Sequence, residues 1–285
     1  MPDRSREAQT LGETVRFGIA ALALTSNNPA LDAELLLAHT VKCERSIIRA
    51  FPERPIDPAV RAAFERLIER RRGGEPLAYL VGEREFYSLP ICVTSAVLVP
   101  RPETELLVDL ALSYLAADTT ESVLDLGTGS GAIALAIKHE RRGARVTGVD
   151  VSAAALAVAR LNATALSLTV EWLESNWFDA LGERQFALIV ANPPYVDSGD
   201  PALDDALRHE PRIALDGGPD GLDAMRTILG IARDHLTQHG RILIEHGHVQ
   251  GGRARQLARA HGYLQARTLK DLAGRDRVLL AERPA

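Results

Sequence analysis

Residues 192–195 read Asn-Pro-Pro-Tyr and directly follow the apolar run Phe186–Ala191, which predicts a buried strand. Ligands of open α/β sheets bind beyond the carboxyl ends of the strands, where this tetrapeptide lies. The carbonyl oxygens of Asn192 and Pro193 can accept the hydrogens of a planar –NH2 group, and the ring of Tyr195 offers a flat face to hold its plane. The tetrapeptide therefore indicates a nitrogen as the target atom. A proline-stiffened turn without chemistry is the alternative.

A glycine-rich turn, Gly127–Gly131, leads from the predicted strand Val123–Leu126 into the predicted helix Ala132–Glu140. Glycines let the backbone approach a ligand closely, and the helix that follows presents free N–H groups. Asp150 ends the next predicted strand, where an acidic side chain meets the ribose hydroxyls of an adenosine ligand. The alternative role for Asp150 is the N-cap of the next helix, a role that Ser152 can also fill.

Trp177 follows the third predicted strand, where its ring could stack on an adenine; such stacking contributes about 1–3 kcal/mol. Filling the core is the alternative for this side chain. NAD would also suit the glycine turn and Asp150. The predicted antiparallel end of the sheet and the absence of a hydride-transfer His or Lys near strand ends favour S-adenosylmethionine instead.

Strands and helices alternate from Ser122 onward, which predicts a parallel sheet covered on both faces. Two final strands with a short connection between them must be antiparallel. The fold class is therefore α/β, with the mostly parallel, Rossmann-like sheet expected of S-adenosylmethionine-dependent methyltransferases. The predicted strands are Val123–Leu126, Arg145–Val149, Leu168–Leu173, Phe186–Ala191, Arg241–Glu245, Tyr263–Leu269 and Arg277–Glu282. The predicted helices between them are Ala132–Glu140, Ala153–Ala163, Leu222–Leu236 and Val249–His261.

Three parts are expected along the chain. Residues 1–75 read as a small helical bundle without a titratable cluster, so we expect them to dock a partner or cover a cleft. Residues 76–100 change to a period of two and predict a β-hairpin linker, with β-rich stretches around Tyr79–Val81 and Ile91–Val99. Residues 101–285 form the methyltransferase domain. Three helices are expected in the first part and one at the start of the third. They are Leu11–Leu24, Ala30–Val41, Pro58–Arg72 with Asp57 as its N-cap, and Leu106–Ala117.

The composition limits which binding partners and which cellular compartment we expect for this protein. The 285 residues are 46% hydrophobic and 25% charged, as in soluble globular proteins, and their net charge of −5 argues against direct binding to nucleic acid. Cys43 and Cys92 fit neither a metal spacing nor a disulfide framework. The first ten residues lack the apolar core of a signal peptide, and no stretch is long enough to span a bilayer. We therefore expect a cytoplasmic protein, monomeric and without a metal.

The chain resembles, over nearly its whole length, the protein-(glutamine-N5) methyltransferases that modify class 1 peptide-chain release factors (the HemK/PrmC family). The Asn-Pro-Pro-Tyr loop alone is shared with DNA adenine methyltransferases, whereas the segments 74–82 and 99–105 are much more specific. The residues that carry the resemblance are Gly74–Gly82 (GEPLAYLVG), Val99–Glu105 (VPRPETE), Asp125–Ile133 (DLGTGSGAI), Asn192–Tyr195, Glu210-Pro211 with Ala214-Leu215, Gly218–Leu222 and Asp271–Val278 (DLAGRDRV).

The resemblance implies transfer of a methyl group from S-adenosylmethionine to the side-chain nitrogen (N5) of the glutamine in the Gly-Gly-Gln motif of a release factor. It implies that the helical part helps to grip that protein. The residues implied to contact the cofactor are Gly127, Thr128, Gly129, Ser130, Gly131, Asp150, Trp177 and Asn192. Those implied to hold the glutamine amide are Asn192, Pro193, Pro194 and Tyr195, with Asn192, Pro193 and Tyr195 as the catalytic groups.

Two other functions stay open at this point. A DNA adenine methyltransferase would need a basic target-recognition region, which the sequence does not display. A non-catalytic translation factor that binds a release factor would have degenerated cofactor positions, yet the glycines, Asp150 and Asn192 are all present. The segment Arg101–Glu105 either only starts a helix or also borders the methionine end of the cofactor.

Overall fold

The computed structural model describes residues 10–201, 203 and 208–283. The chain divides into two compact units, Met1–Gly82 and Glu83–Ala285. Residues 1–9, on which the expectation about a signal peptide rests, lie outside the described residues. In the described part of the chain, no helix has the length and apolar character that crossing a membrane requires.

The first unit is a helical bundle. Helix α4 (Pro58–Arg72) begins directly after Asp57, whose carboxylate accepts a hydrogen bond from the Ala59 N–H over 2.7 Å. The predicted helix and its N-cap are therefore confirmed. Side chains of three helices, Leu22, Leu37 and Phe64, are fully buried in the core of this unit. The helices are α1 (Leu11–Leu22), α2 (Pro29–Val41), α3 (Arg45–Ala50), α4 (Pro58–Arg72) and α5 (Leu77–Val81).

The strand expected around Tyr79–Val81 is wrong, because these residues belong to the helix α5. Pro76 precedes its first turn, and Gly82 closes it with a φ of 84°, a left-handed conformation that favours glycine. Five apolar residues are too few for periodicity to separate a helix from a strand, whereas the flanking Pro and Gly are helix signals.

The second unit contains the predicted α/β sheet. Among the described residues, the sheet has seven strands: β3 (Ser122–Leu126), β4 (Arg145–Asp150), β5 (Glu171–Glu174), β6 (Phe186–Ala191), β7 (Leu236–Glu245), β8 (Arg267–Lys270) and β9 (Asp276–Glu282). Their order in the sheet is β5-β4-β3-β6-β7-β9-β8. The first four pairs are parallel, and β9 is antiparallel to both β7 and β8, so the mostly parallel sheet with a reversed C-terminal hairpin is confirmed. The helices whose bounds lie within the described residues are α6 (Glu105–Tyr114), α7 (Ala132–Glu140), α8 (Ala153–Ala165), α9 (Asp223–Ala232) and α10 (Gly251–Ala260).

Several element ends differ from the prediction. The strand β7 starts at Leu236, which pairs with Phe186, so the helix expected over Leu222–Leu236 is shorter than predicted. The expected strands Leu168–Leu173 and Tyr263–Leu269 are confirmed only in their C-terminal parts, since β5 and β8 begin later. These changes leave the carboxyl ends of the central strands where the sequence places them.

An antiparallel hairpin, β1 (Glu83–Phe86) and β2 (Leu89–Cys92), opens the second unit. Tyr87 and Ser88 form its two-residue turn with φ of 51° and 60°, which matches the right-handed twist of the paired strands. The second strand ends at Cys92, so the strand character expected through Val99 is wrong beyond that residue. Asn162 joins this hairpin to the glycine turn, because its side chain bonds the backbone of Cys92 over 2.8 and 3.0 Å and the Ser130 carbonyl over 2.9 Å.

Candidate active site

The carboxyl ends of three neighbouring strands meet at one edge of the sheet. In the register of β3 with its neighbours, Leu126 lies opposite both Val149 and Ala191. The segments that follow these strands therefore start side by side, and a cavity of about 290 Å³ opens between them. This volume is near the lower end of the roughly 300–1,000 Å³ typical of small-molecule sites. Of the predicted site residues, those lining the cavity are Gly127, Thr128, Gly129, Ser130, Asp150, Trp177, Asn192, Pro193 and Pro194.

The glycine turn forms one wall of the cavity. Its three glycines have φ of 68°, 55° and 81°, values that side chains disfavour. A Cβ added at Gly129 would meet no atom within 4 Å, so this backbone faces open space. Gly131 is not among the lining residues, and a Cβ there would lie 2.9 Å from the Trp172 ring, so its role in this structure is close packing.

Asp125 lies beneath the turn and fixes its shape. Its side chain is fully buried, and its carboxylate accepts hydrogen bonds from the Thr128 hydroxyl over 2.6 Å and from the Ala134 N–H over 3.2 Å. Burial raises the pKa of this carboxyl to about 7, despite the two hydrogen bonds that favour its ionised form. The turn is therefore held from below by a group that folding removes from water.

Asp150 holds the turn from the side. One carboxylate oxygen accepts a hydrogen bond from the Gly129 N–H over 2.9 Å, and the other accepts one from the Ser152 N–H over 2.9 Å. Ser152, and not Asp150, caps helix α8 by accepting from the Ala155 N–H over 3.2 Å. Burial raises the pKa of Asp150. Since the helix does not use this carboxylate as its cap, Asp150 is available at the cavity wall.

Trp177 closes the side of the cavity next to Gly127. Its ring lies 3.6 Å from the position that a Cβ of Gly127 would take. The residue has a φ of 52°, which is uncommon for a bulky side chain. It packs partly buried against the core, as the core-filling interpretation expects, and it also lines the cavity. Stacking of its ring on an adenine stays a prediction.

Asn192 forms the opposite wall together with the two prolines that follow it. Its side-chain amide donates a hydrogen bond to the Thr104 hydroxyl over 3.1 Å. With the –NH2 group engaged there, the carbonyl oxygen of the same side chain is left for another donor. The role of this oxygen as an acceptor for a substrate amide stays a prediction.

Tyr195 is placed differently from the three residues before it. It is not among the lining residues, and its hydroxyl donates a hydrogen bond to Oε1 of Glu245 over 3.3 Å. Its backbone carbonyl accepts a hydrogen bond from the Gln250 side chain over 3.0 Å. Burial and the nearby Glu245 carboxyl raise the pKa of the Tyr195 phenol. A role of this ring in holding a planar group stays a prediction.

The proline-rich segment 99–105 lies against the same cavity. It includes a short 3-10 turn, Pro102–Thr104, and α6 starts at Glu105, so the expected helix start is confirmed. Arg101 pairs with the buried carboxylate of Glu210 over 2.5 Å. Thr104 is 4% exposed and lines the cavity. That this segment borders the methionine end of a cofactor stays a prediction.

Glu245 and Glu210 are polar residues of the site that the sequence interpretation did not assign to it. Glu245 is the last residue of β7, at the same edge of the sheet where Asn192 follows β6, and it is 1% exposed. The sequence signal that could have indicated Glu245 is its position as an acid at the carboxyl end of a predicted strand. For Glu210, which accepts hydrogen bonds from Arg101 and from the Val99 N–H, no local sequence pattern indicates the distant partners.

The wall residues fit an adenosyl ligand. The turn at Gly129 leaves space for a close approach, Asp150 offers an anionic acceptor beside it, and the Trp177 ring offers an aromatic surface. No group of three His, Cys, Asp or Glu side chains that could hold a metal ion occurs within residues 10–201, 203 and 208–283.

Two family matches cover most of the chain. Residues 13–82 match the PrmC N-terminal domain, and residues 104–218 match the methyltransferase small domain. The chain is 45% identical over 264 residues to the release factor glutamine methyltransferase of Xylella fastidiosa (strain Temecula1), covering 92% of this chain and 96% of that protein. It is 47% identical over 259 residues to the protein of the same name from Pseudomonas aeruginosa, covering 90% and 94%.

Solved structures share the fold at low sequence identity. A methyltransferase from Pyrococcus furiosus aligns with a TM-score of 0.55 and 18% identity, over 78% of this chain and 98% of that one. The 16S rRNA N2 G1207 methyltransferase of T. thermophilus, solved with AdoMet and guanosine, aligns with a TM-score of 0.53 and 23% identity, over 71% and 50%. These two likenesses support the methyltransferase fold.

Proposed function

Since the chain belongs to the release factor glutamine methyltransferase family, we propose that it methylates the side-chain nitrogen N5 of the glutamine in the Gly-Gly-Gln motif of class 1 release factors. The observation that carries this proposal is the orientation of Asn192 on the cavity wall. Its –NH2 group bonds Thr104, so its carbonyl oxygen is free to accept a hydrogen from an incoming amide.

The cofactor in this proposal lies between the glycine turn, Asp150 and Trp177. The turn at Gly127–Gly131 admits the ligand close to its backbone, and the Asp150 carboxylate accepts hydrogen bonds from the ribose hydroxyls. The ring of Trp177 lies against the adenine, and Asn192 borders the reacting end. When bound, S-adenosylmethionine supplies an electrophilic methyl group.

The acceptor glutamine amide needs to be held rather than deprotonated. An amide nitrogen is a poor nucleophile because its lone pair is delocalised, and its two hydrogens define its plane. The Asn192 side-chain oxygen and the Pro193 carbonyl accept one hydrogen each, with Pro194 and Tyr195 beside the planar group. Orientation of this kind can lower a barrier by on the order of 7 kcal/mol or more. The product loses its extra proton readily after transfer, so no general base is required.

The helical unit contributes to release-factor binding in this proposal. Residues 13–82 match the N-terminal domain of the family, and Phe17 on α1 is 45% exposed, as an apolar contact would require. We also propose that the chain acts as a monomer in the cytoplasm and binds no nucleic acid directly. Unchanged affinity of the Phe17→Ser variant for a release factor would remove the support that this residue gives.

The test is transfer of labelled methyl from S-adenosylmethionine to purified acceptors, assayed side by side. We expect labelling of an intact class 1 release factor and none of a release factor whose Gly-Gly-Gln glutamine is replaced by alanine. Labelling of DNA instead would support the adenine methyltransferase alternative. Binding of the release factor without any transfer would support the non-catalytic alternative.

A further inference from the structure

Behind Asn192 lies a buried polar cluster made of Thr104, Tyr195 and Glu245. The Asn192 amide donates to the Thr104 hydroxyl over 3.1 Å, and the Tyr195 hydroxyl donates to Glu245 Oε1 over 3.3 Å. Thr104 is 4% exposed and Glu245 is 1% exposed. Both ends of the Asn-Pro-Pro-Tyr sequence are thus bound to groups that the solvent does not reach.

The hydrogen bond to Thr104 does not by itself keep the Asn192 amide in the observed orientation, with its –NH2 group toward Thr104. A hydroxyl can accept from an –NH2 group or donate to a carbonyl oxygen, so the amide could rotate by about half a turn and keep a hydrogen bond. The rotated form would present –NH2 to the cavity, where it would oppose the –NH2 group of the acceptor. A third group has to fix the direction of the Thr104 O–H bond.

Glu245 is suited to fix that direction, because an ionised carboxylate only accepts hydrogen bonds. Its Oε2 atom is buried and has no hydrogen-bond partner among the described residues. The Thr104 hydroxyl lowers the pKa of this carboxyl, so it lies close enough to Glu245 to serve as the donor that Oε2 lacks. With that hydrogen directed to Glu245, a lone pair of Thr104 Oγ1 remains for the Asn192 –NH2 group.

We propose that Glu245 is a positioning residue that acts through Thr104 to hold the Asn192 carbonyl oxygen toward the acceptor amide. This inference rests on the proposed function, since it concerns the residue that receives the glutamine. Glu245 touches neither substrate nor cofactor in this account. Its effect is on the fraction of molecules in which Asn192 has the productive orientation.

The ionisation of Glu245 gives the proposal a pH signature. Burial raises its pKa to about 7, while Thr104, Tyr195 and Arg277 favour the carboxylate and Glu103 opposes it. A protonated Glu245 can donate to Thr104 Oγ1, which would turn the Thr104 hydrogen toward Asn192 and favour the rotated amide. Turnover by the wild-type chain should therefore rise as the pH increases through about 7.

The experiment measures kcat, the dissociation constant of S-adenosylmethionine and the pH profile of kcat for four variants with a release factor as acceptor. Thr104→Val keeps the branched shape without the hydroxyl, and Thr104→Ser keeps the hydroxyl. Glu245→Gln removes the charge. Thr119→Val is the matched control, because Thr119 is 7% exposed, its hydroxyl bonds the Glu121 carboxylate over 3.3 Å, and it does not line the cavity.

We expect Thr104→Val and Glu245→Gln each to lower kcat by on the order of tenfold or more, while cofactor affinity changes by less than about threefold. Thr104→Ser should keep most of the wild-type kcat, and Thr119→Val should match the wild type. The kcat of Glu245→Gln should no longer rise with pH near pH 7. A fifth variant, which combines Thr104→Val with Glu245→Gln, should be no slower than Thr104→Val alone, because Glu245 acts through that hydroxyl.

Several results would overturn the proposal while the wild-type chain still methylates the release factor. They are an unchanged kcat in Thr104→Val, a Glu245→Gln variant that keeps the wild-type pH profile, and strictly multiplicative losses in the double variant. Failure of the wild-type chain to methylate any release factor would instead contradict the proposed function. Circular dichroism and cofactor binding show whether each variant is folded.

Discussion

The backbone N–H of Gly129 donates a hydrogen bond to the carboxylate of Asp150 over 2.9 Å. This bond connects the turn after β3 with the acid that ends β4, so the two parts of the proposed cofactor site form one unit. The other oxygen of Asp150 is bonded to the Ser152 N–H, which fixes the carboxylate at the cavity wall. The acid therefore both shapes the turn and lines the cavity in which we propose that the cofactor binds.

Replacement of Asp150 by alanine should weaken cofactor binding. The variant loses the bond to the Gly129 N–H and the acceptor proposed for the ribose hydroxyls. Hydrogen bonds to charged groups contribute about 1.5–3 kcal/mol, so we expect a loss in affinity of roughly tenfold to a hundredfold. Isothermal titration with S-adenosylmethionine measures it, with the exposed Asp179→Ala as the control. Equal affinity of the two variants would contradict the assignment.

A matched pair of glycine substitutions separates backbone strain from ligand contact. Gly129 and Gly182 have φ of 55° and 56°, and a Cβ at either position would meet no atom within 4 Å. Alanine at either site should lower the free energy of unfolding by about 1 kcal/mol, because both backbones stay left-handed. Only Gly129 lines the cavity, so only Gly129→Ala should weaken cofactor binding. Equal cofactor affinities of both variants would contradict the proposed position of the ligand.

Replacement of Asn192 by alanine should reduce turnover far more than cofactor binding. The variant removes the side-chain oxygen proposed to hold the acceptor amide, but it leaves the glycine turn and Asp150 intact. Loss of one preorganised hydrogen-bonding group typically lowers kcat by on the order of a hundredfold or more. Single-turnover methyl transfer and cofactor titration measure the two effects. Turnover equal to that of the wild type would refute the role of Asn192.

The buried acid beneath the turn should make stability depend on pH. Burial raises the pKa of Asp125 to about 7, so between about pH 4 and pH 7 the folded chain keeps a proton that the unfolded chain has released. This carboxyl therefore contributes stability at low pH that is lost as the pH rises through about 7. Urea unfolding at pH 5 and pH 8 should show a smaller loss for Asp125→Asn than for the wild type, by on the order of 2 kcal/mol. Asp179→Asn serves as the control, and equal losses in all three proteins would contradict the prediction.

Regular elements with strong local signals could be predicted from the sequence. The strand Phe186–Ala191 and the helices Ala132–Glu140 and Pro58–Arg72 occur with the predicted bounds. Each has an apolar pattern longer than five residues and a Gly, Asn or Asp next to it, so periodicity and end signals agree. The short helix Leu77–Val81 reads as a strand because its five apolar residues show no period, and only the flanking Pro76 and Gly82 indicate a helix.

The contacts that orient the site could not be predicted in the same way. Asn192 is recognisable because it follows a buried strand, but its hydrogen bond to Thr104 joins residues far apart in the sequence. Glu245 is buried beside them because three chain segments pack together, and no periodicity reports such a meeting. Likewise, the sequence suggests that Tyr195 packs on the acceptor, whereas in the structure its hydroxyl bonds Glu245.

The most direct test of the central claim is to locate the transferred methyl group by mass spectrometry. A class 1 release factor is incubated with the wild-type chain and S-adenosylmethionine, then digested and sequenced by fragmentation. We predict one methyl group, on the side-chain amide of the Gly-Gly-Gln glutamine, and a strongly reduced yield with the Asn192→Ala variant. A methyl group on any other residue, or an unmodified release factor with the wild-type chain, would contradict the claim.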